Sequence, residues 1–547
     1  MALETHGDLK SLVQRRLREP TSLAAGALRV HGARSSRSNR AGLNGQPLVE
    51  RRSPAASSQR ALSDLSEQCN IARVQSLFEI RWARFGAALG SGALLFFALG
   101  LRPVWWIAWI APIPLLLAAL HGSRAEARLL TAFASAVGLA SLVPYYVSVQ
   151  GPIGLIIMPL QIAQWIFIVS FTRAVVRRSD HWLTVFAYPL IWSALDALIS
   201  TFSPHGTFGS FAYTQMDALP VIQIASVGGT PAVVFVVSLF TSAVVLGLYR
   251  LRPRSQPMLT YGLPVPLLVL AIVSGWWRLA KSRPAGVSVP VGMVAIDDAI
   301  SQKTARAEEI WRGYDEAVAR LAEAGARIVV LPEKIDPDEP HPEARRAALS
   351  ETARRTAVFL VVGVGLREQS GWRNRAWLFG PNGDLLAAYD KQHLVPGWEG
   401  SMTAGDENVI VSINDSRYGL SICKDMHFAS FGRGYGKEGV VAVLEPAWDF
   451  GRDAWMAARI AALRGVENGY AVVHSARGGL LTASDRYGHF VAETPSSILP
   501  GSAVIAHVPT SSPSPTLYAR FGGWFGWVCV GAAALLRLPS IRRMRGG

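Results

Sequence analysis

Three cysteines in 547 residues are too few for a disulfide framework, and they stand far apart: Cys69 in a polar N-terminal stretch, Cys423 in the one long stretch of ordinary polarity, and Cys529 inside an apolar run near the C-terminus. The scarcity leaves Cys423 with no neighbouring thiol to mispair with, so an oxidising compartment is open to it. Charge is scarce too. Only 17% of residues are charged against 50% hydrophobic, and the mean hydropathy is +0.25, which excludes an ordinary soluble domain of this size and implies an integral membrane protein. Acidic residues run short of basic ones, 39 against 54, for a formal net charge of +15. That excess falls mainly in the N-terminal stretch, in short loops between apolar runs and at the extreme C-terminus. Such charge is topological, and it argues against a nucleic-acid partner. His427, His474 and His489 are scattered without metal-ligand spacing, and no glycine loop of the P-loop type occurs. Neither a metal nor another cofactor is therefore read from the chain.

What is present is a succession of apolar runs. Residues 1–82 read as a mostly disordered basic extension, as in Arg34-Ser35-Ser36-Arg37-Ser38-Asn39-Arg40, without the apolar core of a cleavable signal. Candidate spans follow near 83–101, 104–120, 129–148, 152–173, 182–200, 226–248 and 259–280, with another near 522–537, giving about eight at the roughly 20 residues that cross a bilayer. Arg124 and Arg128, then Arg173, Arg177 and Arg178, then Arg250, Arg252 and Arg254 fall in alternate loops, and Arg542, Arg543 and Arg545 follow the last run. By the positive-inside tendency these loops and both termini are cytoplasmic. Residues 284–515 then lie on the outer face, which in a bacterium is the periplasmic face of the inner membrane. The loop 201–220 falls on that side and is expected to meet them. Trp105, Trp106, Trp109, Trp276, Trp277, Trp524 and Trp527 sit near span ends as interfacial anchors.

Within 284–515 the period alternates between two and 3.6. Strands are expected at 287–296, 327–333, 358–367, 419–425, 440–444, 470–475, 480–484 and 503–508, and helices at 304–326, 342–356 and 452–467. Phe379-Gly380-Pro381-Asn382-Gly383-Asp384 marks a hairpin between 375–378 and 385–389. This alternation implies an α/β layered domain, inserted between a helical membrane domain at 83–283 and a terminal span with its tail at 516–547.

Three residues of that domain suit covalent chemistry. Glu333 closes Arg327-Ile328-Val329-Val330-Leu331-Pro332, Lys391 lies in the run 389–396 just after the strand expected at 385–389, and Cys423 ends Gly419-Leu420-Ser421-Ile422. A thiol becomes nucleophilic as thiolate, which requires a base or a nearby cation. Glu333 offers the first and Lys391 the second. Lys391 and the backbone N–H after Cys423 can also meet a tetrahedral oxyanion. Singly, each has an ordinary explanation: a core cysteine, a surface lysine, a glutamate capping the turn at 337–342. Trp448 and Asp449, at another strand end, are either core or pocket wall.

The surrounding sequence favours chemistry. Leu331-Pro332-Glu333, Tyr389-Asp390-Lys391-Gln392-His393-Leu394-Val395-Pro396 and Ser421-Ile422-Cys423-Lys424-Asp425 resemble the glutamate, lysine and cysteine motifs of the carbon–nitrogen hydrolase (nitrilase) superfamily. Glu399 and Asn374 resemble its second glutamate and its hairpin asparagine, and Trp448 matches a position lining its pocket. The runs Ser210-Phe211-Ala212-Tyr213-Thr214-Gln215-Met216-Asp217 and Thr516-Leu517-Tyr518-Ala519-Arg520-Phe521-Gly522 are similar to segments of the membrane-embedded apolipoprotein N-acyltransferase branch, so that the likeness covers about 83–540. The chain departs from that branch at Lys424-Asp425, where the branch has an aromatic residue and Glu, and at Pro396-Gly397-Trp398-Glu399, where it has Pro-Phe-Gly-Glu. The resemblance implies an αββα sandwich on a polytopic helical domain. It implies Glu333, Lys391 and Cys423 as catalytic residues supported by Glu399, Asn374 and Trp448, a phospholipid acyl donor, a diacylglyceryl lipoprotein acceptor, and no cofactor. A membrane-tethered amidase using the same residues on a small C–N substrate is the alternative. A silent scaffold of the same fold is the reading least suited to an intact Glu-Lys-Cys set.

Overall fold

A computed structural model describes residues 78–250, 262–281, 288–298, 305–369, 371–510 and 515–537. Residues 1–77 of the basic extension, Arg252, Arg254, Arg542, Arg543 and Arg545 lie outside the described residues, and the last residues expected in the extension, Arg81 and Trp82, already belong to the first helix. The apolar runs form helices α1 (Arg81–Ala98), α2 (Pro112–His121), α3 (Arg124–Leu139), α4 (Val143–Gln150), α5 (Ile157–Val176), α6 (Ala187–Phe202), α7 (Ala225–Tyr249) and α8 (Pro264–Ala280). Among the described residues, three helical stretches are long and apolar enough to cross a membrane: Arg124–Val176, Trp182–Phe202 and Ala225–Tyr249. Shorter apolar helices run over Ile107–His121, Pro264–Ala280 and Trp524–Leu535. The single helix expected over 129–148 is instead broken: α3 ends at Leu139, a tight turn follows, and α4 restarts with Pro144 in its first turn, where a missing N–H costs nothing.

The arginine-bearing loops meet at one end of this bundle. Arg173 donates from Nε to Ala119 O at 2.8 Å and from Nη2 to Gly122 O at 2.6 Å, Arg177 Nη1 reaches Gly122 O at 3.2 Å, and Arg250 Nη2 reaches Ser179 O at 2.8 Å. Guanidinium groups thus satisfy the last carbonyls of α2 and the loop after α5, where the helix dipole favours cations. The span-end tryptophans are exposed except Trp109, which turns inward and donates to Gln215 Oε1 at 2.8 Å.

Residues from 288 onward build two packed six-stranded sheets. The first is ordered β12-β1-β2-β3-β4-β5, with β1 at Ser288–Ala295, β2 at Ile328–Val330, β3 at Phe359–Glu368, β4 at Gly371–Phe379, β5 at Leu385–Asp390 and β12 at Ser502–Pro509. The second is β11-β10-β9-β8-β7-β6, with β6 at Ile410–Ile413, β7 at Ser416–Leu420, β8 at Ala442–Trp448, β9 at Ala471–Arg477, β10 at Leu480–Ser484 and β11 at Phe490–Pro495. Period-two alternation divides the cores. Val291, Met293, Ile328, Val330 and Val361 face the second sheet and meet Leu420, Val443 and Val473. Their neighbours Val294, Val329, Leu360 and Val362 face the helices Ala305–Glu323 and Pro342–Thr356 through Ile310, Trp311 and Leu349. β6 and β11, absent from the expected strands, are short edge strands with much of their surface exposed.

Helix Ala454–Asn468 covers the second sheet and is buried nearly throughout. Its Ala461 joins the core between the sheets, whereas Trp455, Met456, Ile460, Leu463 and Val466 join the core of the apolar helical bundle. Its Arg464, fully buried, pairs with Glu467 at 2.6 Å and donates to Tyr213 OH at 3.2 Å, and that hydroxyl lies 2.6 Å from Thr207 Oγ1. Arg464→Leu, which strands the Glu467 carboxylate, is expected to cost about 3–5 kcal/mol of stability. Thermal unfolding of the purified membrane protein measures it, and Glu467→Gln in the same background should recover part of the loss.

Candidate active site

Loops leaving β2, β5 and β7, together with β4, bring the predicted residues together. Lys391 leaves β5 toward the interior, its N–H donating to Asn374 O at 2.9 Å, and its Nζ lies 2.9 Å from Glu333 Oε1 and 3.0 Å from Glu399 Oε2. Asn374, on β4, donates from Nδ2 to Glu333 Oε1 at 2.5 Å and to Glu399 Oε1 at 2.7 Å. Glu399 also accepts from Val395 N at 2.8 Å and from Lys334 Nζ at 2.5 Å. Glu333, Asn374, Lys391 and Glu399 are each no more than 2% exposed. Gly363 of β3 makes this possible: a Cβ there would stand 2.6 Å from Glu333 Cα, so a side chain would push the glutamate out of place.

The expected strand 419–425 is corrected. β7 stops at Leu420, and Cys423 opens a one-turn helix Cys423–His427 with φ of 45°. A non-glycine residue held in the left-handed region marks a backbone fixed by its surroundings. Asp425 does the fixing. Its carboxylate accepts from Ile422 N (3.2 Å), Tyr389 OH (2.7 Å), His393 N (2.8 Å) and His393 Nδ1 (2.9 Å), tying the cysteine turn to the lysine loop. Cys423 Sγ donates weakly to Trp448 O at 3.6 Å. The Trp448 ring lies under the Arg477 guanidinium, 3.8 Å from its centroid, with Lys334 Nζ at 5.5 Å.

Electrostatics complete the picture. Burial pushes the Cys423 thiol well above its ordinary pKa, Glu333 and Asp449 push the same way, and Lys391 opposes without prevailing. The cation therefore does not make a resting thiolate, and a base must take the proton when reaction begins. Burial pulls the Lys391 ammonium down, but Glu333, Cys423 and Glu399 outweigh it and its pKa is raised. Glu399, although burial opposes it, is held down at about 2 by Lys391 and Lys334. Lys334 was not foreseen; following Glu333 directly, it takes φ of 42° and turns back onto Glu399. Below Trp448, the His474 ring bridges Glu445 at 3.1 Å and Asp449 at 3.4 Å.

The loop 201–220 meets this site. Thr207 donates from N (2.9 Å) and Oγ1 (2.8 Å) to His427 O. Gly206 permits the approach, since a Cβ there would fall 2.4 Å from that oxygen. Tyr145 of α4 donates to Asp453 Oδ2 at 3.0 Å, and Trp398 Nε1 to Val149 O at 3.2 Å. Between them lies a cavity of about 720 Å³, lined by Ile153, Ile156 and Leu160 at one side and by Cys423, Lys424, His427 and Trp448 at the other. The first three side chains are 67–72% exposed, on the apolar flank of the bundle.

The same two-part architecture appears in comparisons with known proteins. Residues 91–243 match the model of the apolipoprotein N-acyltransferase N-terminal domain, and residues 293–498 match that of carbon-nitrogen hydrolase. An apolipoprotein N-acyltransferase of Geobacter metallireducens is 27% identical over 500 residues, covering 82% of this chain and 93% of that protein. The chain belongs to the apolipoprotein N-acyltransferase family. A Gloeobacter violaceus member is 25% identical over 84% of this chain and 95% of its own length. Human omega-amidase NIT2 is 33% identical, but over only 24% of this chain and 54% of that enzyme. Among solved structures, an amidase from a Nesterenkonia species aligns with 43% of this chain and 94% of its own, at 20% identity and a TM-score of 0.37. The omega-amidase match falls within the carbon-nitrogen hydrolase half alone, and the helical half, which walls the cavity, lies outside it.

Proposed function

We propose that the protein takes an acyl chain from a phospholipid onto Cys423 as a thioester and passes it to the α-amine of a lipoprotein's N-terminal diacylglyceryl-cysteine. The observation that carries this reading is the cavity joining lipid-facing side chains to the thiol: an apolar chamber of that size suits an acyl chain, and a small amide has no use for it. In the first step Glu333 takes the thiol proton as Sγ attacks the ester carbonyl, and Lys391 with the Lys424 N–H meets the oxyanion. The lysophospholipid oxygen then leaves with the proton from Glu333. In the second step the amine attacks the thioester and gives a proton to Glu333, which returns it to Sγ as the amide forms. Asn374 and Glu399 orient Glu333 and Lys391, and Trp448 walls the approach.

On this reading the chain has about eight spans in a bacterial inner membrane, with a membrane domain at 83–283, a catalytic domain at 284–515 on the periplasmic face, and a terminal span and tail at 516–547. Support comes from the arginines gathered at the far end of the bundle from Thr207 and Trp398. A cysteine introduced at Leu386 should label from outside in intact cells, and one at Arg178 only after permeabilisation; the reverse pattern would overturn the lipoprotein reading, because the acceptor's diacylated cysteine stands on the outer face. The deciding experiment is intact-protein mass spectrometry after mixing with phospholipid, expected to give an acyl adduct on Cys423 that a lipopeptide amine discharges. Release of ammonia from simple amides without any adduct would establish the amidase instead.

A further inference from the structure

The acyl-transfer chemistry leaves one wall of the cavity unexplained. Lys424, His427 and His205 all line it beside Cys423. Lys424 is 5% exposed, and its Nζ donates to Leu394 O at 2.9 Å. Among the described residues, no carboxylate forms an ion pair with any of the three. Their arrangement is fixed: Thr207 binds His427 O through two hydrogen bonds, and the Phe208 ring stacks on His427 at 5.6 Å, which holds His205 and His427 beside the turn carrying Lys424. Burial, reinforced by Lys424, lowers the pKa of both histidines, and burial with Lys391 lowers Lys424 to about 8. Lys424, the one ammonium of this lining, is paired with none of Asp196, Asp449 and Asp453, which line the same cavity, and with two neutral imidazoles beside it as N–H donors it offers half of an ion pair whose anion can come from a ligand.

Resting on the acyl-transfer reading above, we infer that Lys424, His205 and His427 form the phosphate subsite of the donor, gripping the phosphodiester of a glycerophospholipid while its acyl ester reaches Cys423. The chamber opens among lipid-facing side chains, so the anion it meets is one already joined to acyl chains. In a glycerophospholipid only the glycerol separates ester from phosphate, as only one peptide bond separates Cys423 from Lys424. A free phosphate ion shares the chemistry but not the acyl chains.

The test uses full-length Cys423→Ala protein, which cannot turn over, and compares binding of a phospholipid with a diacylglycerol of the same chains by native mass spectrometry. The phospholipid should bind on the order of tenfold to a hundredfold tighter. Lys424→Gln should erase most of that preference, His205→Gln with His427→Gln should reduce it, and Lys424→Arg should retain it. Equal binding of the two lipids, or a preference that survives Lys424→Gln, overturns the assignment. Inorganic phosphate that competes as well as the phospholipid makes this a free-anion site and overturns the lipid source. With Cys423 restored, acylation by both lipids alike would sink the subsite and leave the reaction standing. A Lys424-dependent preference with no acyl adduct from any lipid would do the opposite.

Discussion

Cys423→Ala is expected to abolish the acyl adduct, with a loss on the order of 10⁴-fold or more in acyl transfer. The thiol has no substitute within reach: among the described residues the other free cysteine, Cys529, is buried in the terminal apolar helix. Cys423→Ser should fail nearly as completely, because a hydroxyl is a far weaker acid than a thiol and the available base is a carboxylate. Intact mass after exposure to phospholipid reads both variants directly. An adduct of undiminished yield on the alanine protein would refute the nucleophile. The fold should survive either change, since the turn is fixed by Asp425 through four hydrogen bonds that do not involve sulfur.

Lys391→Ala is expected to cost on the order of 10³-fold in rate, the scale of losing a main oxyanion donor, and to destabilise the protein as well. Its ammonium stands between Glu333 and Glu399 at 2.9 and 3.0 Å, all three side chains being buried. Without it Lys334 still serves Glu399 at 2.5 Å but stands 3.9 Å from Glu333, whose remaining close donor is the neutral Asn374 amide. A buried carboxylate left with only this long ion pair destabilises the fold or takes up a proton, and a protonated Glu333 is no base. Acylation kinetics and thermal unfolding separate the two effects. Full activity in this variant would remove Lys391 from the mechanism, and Lys391→Met with normal stability but no adduct would place its role wholly in chemistry.

Much of the layered domain was legible because buried strands and amphipathic helices carry their own periods. The helix expected at 342–356 is observed as Pro342–Thr356, opened by a proline that suits a first turn and closed by Arg354 and Arg355. The strand at 480–484 is Leu480–Ser484. The turn at Cys423 was not legible, because an apolar run announces a strand whether or not its last residues peel away, and no pattern signals a positive φ at cysteine. Lys334 stayed hidden for a related reason: its neighbour in sequence is Glu333, yet its partner is Glu399, chosen by a backbone twist. The cavity was beyond reach altogether, since Tyr145 and Asp453 are 308 positions apart. Residue types and motifs point to a thiol, an amine and a carboxylate; which helices shelter them is a matter of tertiary packing.

Helix Ala454–Asn468 touches the sheet with one side and the helical bundle with the other, and this decides what can be made in the laboratory. Cutting out 288–509 to obtain a water-soluble enzyme would bare Trp455, Met456, Ile460, Leu463 and Val466 at once, a contiguous greasy strip of the kind that drives aggregation. Here the helical bundle acts as the outer shell of the sheet-built half, so purification, crystallisation or directed evolution of that half has to carry the helices along.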